Sequence, residues 1–517
     1  MKIKLLTMLL GVVFLSWAQV APQPGGTLTI GSYGEPTGLI PWIETDGASH
    51  IVSLQIYEPL FVVDQDSRVV PWLASSYEVS QDGKVYIFHL QQGVKWHDGQ
   101  PFTAEDVECT FKLIMDPSVG AKISGNLASV ETIQVLDQYT LKITLKDVDV
   151  FFPSKLADLA CILPKHIIEA QGLDYLREHP IGTGPFTFVK WERGQYVELA
   201  AFSEYWKGRP YIDRILVKFI PDASVRALML LTGEIDFIPW GLSYSFLPIL
   251  EGNPKIHIIT LPALNFEELG MSEKNEILQD KRVRQAIYYA LDRDIIRNTV
   301  FRGYAVACDG PIPTAMTEYY NPDIPKYYRD LQKAVSLLEA AGWVDTDGDG
   351  IRDKNGKPLQ LSLMVRAGQT ERLEVAEIIQ SQLKDVGIKI AIEPLEWGAF
   401  LAKLWPGDYD LEIVTWGVGP DPSQQALHFS CTGGFNVYHY CNPEVDAILA
   451  QATRTLDLNT RRELYYRYQE LIAEDAPVVF LYSRPDVKAI SAKVHDYELR
   501  PQIVTGMTFY KAWLEKP

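Results

Sequence analysis

The spacing of apolar and polar residues in the first quarter of the chain predicts a β-hairpin followed by a helix. Residues 78–90 alternate as two half-buried strands around Gln81-Asp82-Gly83, and an Asp-Gly pair favours a tight hairpin turn. Thr103 and Asp106 have the spacing of a helix capping box, and the apolar residues that follow share one helical face: Val107, Phe111 and Ile114. Between hairpin and helix, Trp96-His97-Asp98-Gly99 is interpreted as a tight turn with a packed indole rather than as an acid–base group.

Strand and helix patterns alternate through the rest of the chain. Strands are predicted at residues 27–32, 186–191, 196–200, 388–392 and 411–415, and helices at residues 223–231 and 371–386. Thr460 and Glu463 predict a second capping box at the start of a later helix. Arg282 and Arg284 lie on an amphipathic helix and are interpreted as solvated. Strands that alternate with helices in this way indicate mixed α/β lobes.

Four segments carry a resemblance to a known family. They are PWLASSYEVSQDGKVYIFHLQQGVKWHDGQPFTAEDVECTF, GTGPFTFVKWERGQYVELA, DRILVKFIPDASVRALMLLTGEIDF and DKRVRQAIYYALDRDIIRNTVFRG. Together they resemble the family 5 solute-binding proteins of bacterial ABC importers, which bind peptides, nickel or oligosaccharides. The resemblance implies an α/β fold, a two-lobed periplasmic binding protein clamshell (type II-like) with an extra subdomain in the N-terminal lobe. It also implies a binding protein rather than an enzyme.

The same resemblance implies a division of the chain into lobes. Lobe I is expected at residues 25–58, 181–262 and 488–517, with the extra subdomain at residues 59–180. Lobe II is expected at residues 263–487. The ligand is expected to close between the two lobes.

The N-terminus predicts export. Lys2 and Lys4 precede a short apolar run at residues 5–15, and Ser16 and Ala18 suit a cleavage site, so residues 1–18 are interpreted as a signal peptide. No cysteine precedes Cys109, so a lipoprotein anchor is not expected, and the protein is expected in the periplasm. The formal net charge of −18 opposes binding to nucleic acid or anionic lipid.

Two cysteines lie close together in the sequence CTGGFNVYHYC. An oxidising compartment favours a disulfide between Cys431 and Cys441, and related peptide binders carry a disulfide in this part of the chain. His428 and His439 lie nearby, but the spacing matches no zinc pattern.

The sequence WVDTDGDGIRDKNGKP has the spacing of a calcium-binding loop. Its expected ligands are the carboxylates of four aspartates and one backbone carbonyl: Asp345, Asp347, Asp349, Asp353 and Ile351. Gly356 stands where such loops carry a bidentate glutamate. The sequence therefore predicts either a structural Ca²⁺ or an Asp/Gly turn, and no cofactor is required for function.

The strongest candidates for ligand contacts follow the strand at residues 411–415. Trp416 offers a flat apolar face, and Asp421 offers a carboxylate for an ammonium group. In the peptide-binding members of the family, an aspartate shortly after the equivalent tryptophan holds the peptide N-terminus. Here the segment is compact, so Asp421 matches either that aspartate or a second, structural one. Further candidates are Tyr33, Glu35, Trp397, Asn436 and Tyr438.

These features predict the substrate-binding component of an ABC importer, with an oligopeptide as ligand and membrane permease subunits as partners. An oligosaccharide is the alternative ligand, and the protein is expected to be a monomer. The alternative from a different class is a secreted glycoside hydrolase, because an acidic chain offers many carboxylate pairs. The chain contains no Gly-x-Ser-x-Gly and no His-Glu-x-x-His motif.

Overall fold

The computed structural model describes residues 22–64, 68–157, 160–242, 244–261, 264–419, 421–499 and 507–515. The signal peptide predicted at residues 1–18 lies outside these ranges. Helices alternate with strands, which confirms the mixed α/β class. Within these ranges, no helix combines the length and the apolar character needed to cross a bilayer.

A seven-stranded sheet forms the centre of lobe I. Its strands are β1 (Thr27–Ser32), β8 (Phe186–Glu192), β9 (Tyr196–Ala201), β10 (Arg214–Phe219), β11 (Phe237–Ile238), β12 (Ile256–Leu261) and β20 (Asp486–Ser491). Their order in space is β12-β20-β11-β1-β10-β9-β8. Helices α1 (Gly47–Ile56), α5 (Ala223–Thr232) and α6 (Leu247–Glu251) accompany this sheet. Since β20 comes from late in the sequence, lobe I is built from separate parts of the chain.

An antiparallel four-stranded sheet forms the extra subdomain of lobe I. It orders β4 (Ala74–Val79), β5 (Val85–Leu90), β7 (Thr140–Leu145) and β6 (Val130–Asp137), and it is accompanied by α2 (Ala104–Met115), α3 (Phe152–Lys155) and α4 (Lys165–Gln171). Thr103 and Asp106 form the predicted capping box of α2. Trp96 is fully buried, and the His97 ring lies 2.9 Å from the carbonyl oxygen of Gly184. The turn around Trp96 and His97 therefore packs into the scaffold of the subdomain. The limits predicted for the lobes and for the subdomain stay a prediction.

A five-stranded sheet forms the centre of lobe II. It orders β17 (Lys389–Leu395), β16 (Gln360–Arg366), β18 (Leu411–Gly417), β13 (Asn265–Met271) and β19 (Val478–Tyr482). Its helices are α7 (Lys281–Ala290), α8 (Arg293–Thr299), α9 (Leu331–Ala340), α10 (Thr370–Lys384), α11 (Trp397–Leu404), α12 (Gln425–Phe429), α13 (Pro443–Arg454) and α14 (Leu458–Asp475).

Each face of the five-stranded sheet has its own apolar core. Leu269 and Ile413 belong to one core, whereas Phe266 and Phe480 belong to the other. Because successive strand residues point to opposite faces, neighbours such as Thr415 and Trp416 separate onto different sides of the sheet.

Short elements complete the described fold. Four two-stranded ladders join β2 (Phe61–Val63) to β3 (Val69–Pro71), β14 (Asp353–Lys354) to β15 (Lys357–Pro358), β21 (Val494–His495) to β24 (Trp513–Leu514), and β22 (Glu498–Leu499) to β23 (Met507–Thr508). Single 3₁₀ turns occur at Ser124–Leu127, Leu173–Arg177, Tyr244–Phe246 and Pro422–Gln424.

Two local predictions in lobe II are wrong. The N-cap of α14 is Asp457, whose carboxylate accepts from the backbone N–H and the hydroxyl of Thr460, so Thr460 lies inside the helix rather than at its cap. Arg284 is buried rather than solvated, because its guanidinium donates to the backbone carbonyls that end α14, including that of Asp475 at 2.8 Å.

Candidate functional site

The chain crosses twice between the sheets of the two lobes. β12 ends at Leu261 and β13 begins at Asn265, whereas β19 ends at Tyr482 and β20 begins at Asp486. Asn265 links the two crossings: its side-chain oxygen accepts from the backbone N–H of Arg484, and its amide donates to the Arg484 carbonyl, both at 3.0 Å. The paired crossings form a hinge between the lobes.

A cavity of about 380 Å³ lies at this hinge, and we call it the hinge cavity. Lobe I supplies the turn after β11 and the beginning of β20, and lobe II supplies the first turn of α10. The lining residues are Trp240, Gly241, Leu242, Tyr244, Leu264, Asn265, Glu371, Arg484, Pro485, Asp486 and Val487. Ligand sites in proteins favour such a position between lobes, with a mixture of apolar walls and a few polar groups.

Away from the hinge, the extra subdomain touches lobe II. The side chains of Asp147 and Arg454 form an ion pair at 2.9 Å. The guanidinium carbon of Arg461 lies 3.6 Å from the centre of the Phe151 ring. These contacts join the lobes at the mouth of the cleft, so the structure has the closed arrangement of a clamshell.

Glu267, Arg372 and Arg484 form an ion cluster beside the hinge cavity, and we call it the hinge ion cluster. Glu267 is fully buried; its Oε1 lies 3.0 Å from Nε of Arg372 and 2.9 Å from a terminal nitrogen of Arg484. Its Oε2 accepts from the Thr415 hydroxyl at 2.5 Å. Burial raises the pKa of Glu267, but the charges of Arg484 and Arg372 and the Thr415 hydroxyl outweigh burial and lower it to about 2. One carboxylate therefore lies between two guanidinium groups.

Asp486, which also lines the cavity, has a charged partner of its own. Its carboxylate lies 2.6 Å from the ammonium nitrogen of Lys488, which is 1% exposed. That ammonium also donates to the carbonyl of Pro239 at 3.2 Å. Asp486 is therefore neutralised within lobe I.

Trp416 belongs to an aromatic group on the other face of the lobe II sheet. Its indole N–H donates to Oε1 of Glu268 at 2.7 Å. Its ring stacks on Phe435, with centroids 5.7 Å apart, and meets the edge of His428 at 4.9 Å. The structure therefore does not bring Trp416 into the hinge cavity, although both lie at the same end of the sheet.

Beneath Trp416, two glutamates form a buried acid pair. Glu268 and Glu412 are both fully buried, and the Glu412 carboxyl lies within hydrogen-bonding reach of Glu268. Glu268 also accepts from the Tyr438 hydroxyl, whereas Glu412 has no donor other than Glu268 among the described residues. Burial raises the pKa of both carboxyl groups, and the charge of Glu268 raises that of Glu412 further. The pair therefore retains a proton at neutral pH.

Asp421 lies near the mouth rather than in the hinge cavity. Its carboxylate accepts from the backbone N–H of Ser423 at 2.8 Å and lies 2.7 Å from a terminal nitrogen of Arg461. Arg461 also donates to the Tyr319 hydroxyl at 2.6 Å. Burial raises the pKa of Asp421 to about 6 against the opposing charge of Arg461. Its role as an amine anchor stays a prediction, and its carboxylate already has two donors.

The two candidates after β1 differ in their surroundings. Tyr33 is 40% exposed. It lies beside the cavity wall, because a Cβ atom added to Gly241 would lie 3.4 Å from the Cβ of Tyr33. Glu35 accepts from the Trp191 indole at 2.9 Å and from the backbone N–H of Gly194 at 3.1 Å. Tyr33 thus lies beside the hinge cavity, whereas Glu35 is held by the β8–β9 hairpin.

Two of the remaining candidates, Asn436 and Tyr438, lie in the cysteine loop. Cys431 and Cys441 form the predicted disulfide. Inside the loop, the Asn436 amide donates to the carbonyls of Ser430 and Tyr440 at 2.9 and 2.6 Å, so it shapes the backbone. Tyr438 is fully buried against Glu268. Trp397 is the first residue of α11.

Three residues of the aspartate loop come together. Carboxylate oxygens of Asp345, Asp347 and Asp349 lie within 4.8 Å of one another, and all three residues are exposed. Asp353 accepts instead from the backbone N–H of Thr346 at 2.9 Å and from its hydroxyl at 2.6 Å.

Sequence reasoning missed Glu267, Arg372 and Arg484. The available signal is the strand NFEELGM, which carries adjacent acids in an otherwise apolar stretch. A strand covered on both faces leaves no water for such acids, so each needs a partner or a proton. Glu267 has the partners, and Glu268 shares a retained proton with Glu412.

Comparison with known proteins matches nearly the whole chain. The family model of the bacterial extracellular solute-binding proteins, family 5, middle part, matches residues 68–436. The oligopeptide-binding protein AppA of Bacillus subtilis (strain 168) is 33% identical over 497 residues, covering 93% of this chain and 90% of that protein. The dipeptide-binding protein of Escherichia coli (strain K12) is 30% identical over 524 residues, covering 95% of this chain and 96% of that protein.

A solved structure agrees with the fold. The complex of AppA from Bacillus subtilis with a nonapeptide has a TM-score of 0.80 and 32% identity, covering 96% of this chain and 100% of the other. The predicted two-lobed periplasmic binding fold is therefore confirmed. The chain belongs to the bacterial extracellular solute-binding proteins of family 5.

Proposed function

We propose that this protein is the substrate-binding component of an ABC importer, and that it captures an oligopeptide between its lobes. The observation that carries the proposal is a cavity at the hinge with walls from both lobes, in a chain similar over almost its full length to proteins named for oligopeptide and dipeptide binding. The captured peptide is then presented to the permease, which performs the energy-consuming transport.

The geometry supports capture by closure. A ligand in the hinge cavity contacts both lobes, so it favours the closed arrangement over an open one. Rotation about the hinge separates the mouth contacts between Asp147 and Arg454 and between Phe151 and Arg461. Closure removes water around the ligand, which strengthens each polar contact inside.

The alternatives have less support. The oligosaccharide is not favoured, because the relatives reported above are named for oligopeptide and dipeptide binding. The glycoside hydrolase is not favoured either, because the chain belongs to a family of binding proteins. The two carboxyl groups of the acid pair are fully buried, which leaves no room for a sugar between them.

Location and partners follow from the same proposal. We place the mature protein in the periplasm after removal of residues 1–18, acting as a monomer with the membrane subunits of its permease. The family name, which describes extracellular proteins, supports this placement. No nucleic acid is expected as a partner.

A calcium ion in the aspartate loop stays a prediction and is not needed for peptide binding. The convergence of Asp345, Asp347 and Asp349 supports it. Asp353 is turned toward Thr346, and the backbone N–H of Ile351 donates to Asp349. Metal analysis of the purified protein tests it directly.

Native mass spectrometry of the protein as purified tests the proposed function. We expect a population heavier than the chain by the mass of an oligopeptide, and fragmentation of the released ligand should give a peptide sequence. A released sugar would overturn the peptide assignment.

Substitution of Trp416 tests whether the aromatic group contacts the ligand. Trp416→Phe removes the indole N–H that donates to Glu268 and reduces the exposed ring surface. If the ring contacts the peptide, affinity should fall about tenfold, equivalent to about 1.4 kcal/mol. Trp405→Phe is the matched control, because Trp405 is a more exposed member of the same aromatic group. An affinity equal to that of the wild type would limit Trp416 to packing.

A further inference from the structure

Glu371 is an acidic residue of the hinge cavity whose carboxylate has no partner among the described residues. It lies in the first turn of α10 and is half-buried. Of the other acids near the cavity, Asp486 is bound to Lys488 and Glu267 to two arginines. Glu371 is thus the acid of the described cavity wall that is left for a ligand.

Neither neighbouring arginine forms an ion pair with Glu371 among the described residues. Arg484 lines the same cavity, but its Nε and one terminal nitrogen are directed to Glu267, at 2.8 and 2.9 Å. Arg372 follows Glu371 in the sequence, yet its guanidinium donates to Gln369, Thr415 and Glu267. The Glu371 carboxylate therefore lines the cavity without a direct ion pair, and a positively charged group of a ligand can pair with it.

The walls around Glu371 suit an organic cation. Tyr244 and Trp240 line the same cavity and present aromatic rings. Aromatic faces attract ammonium and guanidinium groups, and the ammonium of Lys488 already lies 4.9 Å from the Trp240 ring centre. Tyr244 is close enough to Glu371 for the carboxylate to contribute to raising the pKa of the phenol, after burial and against Arg484. Carboxylate and aromatic ring therefore share one part of the cavity.

We infer that Glu371 binds a cationic group of the peptide and so selects peptides that place an ammonium or guanidinium at the hinge. The inference rests on the proposed function and adds a specificity-determining residue to it. The cation comes either from the peptide N-terminus or from a lysine or arginine side chain, since both offer the same chemistry to a carboxylate. The role differs from the amine anchor predicted at Asp421, whose carboxylate is engaged by Arg461.

Titration calorimetry with modified peptides tests the inference. The probe is the tightest binder from a synthetic pool of oligopeptides of two to nine residues, prepared unmodified, N-acetylated, and with each lysine or arginine replaced by methionine. The proteins are the wild type, Glu371→Gln, Asp421→Asn, and the matched control Glu374→Gln, which changes an exposed glutamate of the same helix outside the cavity wall. Thermal unfolding verifies that every variant is folded.

We expect Glu371→Gln to weaken the unmodified peptide at least tenfold and Glu374→Gln to leave it unchanged. In the wild type, either N-acetylation or the replacement of lysine and arginine by methionine should weaken binding at least tenfold. The same modification should weaken peptide binding little further in Glu371→Gln. The modification that acts identifies the N-terminus or the side chain as the source of the cation.

Three results would overturn the inference. In the first, Glu371→Gln binds the unmodified peptide with the affinity of the wild type. In the second, both peptide modifications weaken binding to Glu371→Gln as much as they weaken binding to the wild type; in the third, the effect of the modification is lost in Asp421→Asn instead. A wild type that binds no peptide of the pool would instead refute the proposed function, and the inference with it.

Discussion

Arg484→Met is expected to lower the free energy of unfolding by about 3 kcal/mol, near the lower end of the cost of breaking a buried ion pair. Glu267 is fully buried and keeps Arg372, but it loses the guanidinium that reaches both of its oxygens. Urea unfolding measures this change. Peptide affinity should fall as well, because Arg484 lines the cavity.

Arg467→Met is the matched control for this substitution. Arg467 lies on α14 and pairs with Glu444 and Glu470, all at least partly exposed at the surface. Its replacement should change the free energy of unfolding by less than about 0.5 kcal/mol, because exposed ion pairs are weak. Equal and small effects of the two substitutions would show that the hinge ion cluster does not stabilise the closed protein.

The pH dependence of the same cluster has a definite sign. Glu267 has a pKa of about 2 in the folded protein and an ordinary value of 4.5. Its ionised form therefore contributes stability above pH 4.5, and this contribution is lost as the pH falls from 4.5 toward 2. Removal of Arg484 should reduce that acid-side loss.

Glu412→Gln is expected to make the protein more stable at neutral and alkaline pH. Folding raises the pKa of both members of the acid pair above the ordinary value of 4.5. A carboxyl group whose pKa is raised by folding contributes its full stability below pH 4.5. This contribution is lost as the pH rises toward the raised pKa. Glutamine removes one titrating group and offers an N–H donor to Glu268, so the loss becomes smaller.

Urea unfolding of the wild type and of Glu412→Gln between pH 5 and 8 measures this effect. The free energy of unfolding of the wild type should fall more steeply with rising pH than that of Glu412→Gln, so the relative gain of the variant should be largest at the alkaline end. Glu463→Gln, at an exposed position of α14, is the control and should follow the wild type. Parallel curves for the wild type and Glu412→Gln would contradict a proton-retaining pair.

Local chemistry explains which sequence predictions are correct. The capping box at Thr103 and Asp106 involves residues three positions apart, so sequence spacing describes it. The disulfide joins cysteines separated by ten positions in one loop. The cap predicted at Thr460 is wrong because Asp457, three residues earlier, offers a second acceptor with the same spacing. Local signals thus identify an element better than they identify its first residue.

The candidate site depended on contacts that no local pattern describes. Glu267, Arg372 and Arg484 come from β13, α10 and the crossing after β19, and only the fold brings them together. Arg284 seemed a surface residue on its own helix, yet α14 covers it. The loop after β18 was a reasonable choice for ligand contacts, but its tryptophan turns to the face opposite the hinge cavity. The alternation of side chains along a strand predicts that neighbouring residues such as Thr415 and Trp416 point to opposite faces. It does not show which face borders the cleft.

Titration calorimetry of the ligand-free protein with the synthetic oligopeptide pool determines whether the protein is a peptide receptor. The protein is unfolded in guanidinium, dialysed and refolded to remove any ligand carried through purification. We expect saturable heat with one peptide bound per chain, and no saturable heat with an oligosaccharide pool at the same concentration. Saturable binding of an oligosaccharide without binding of any peptide would contradict it.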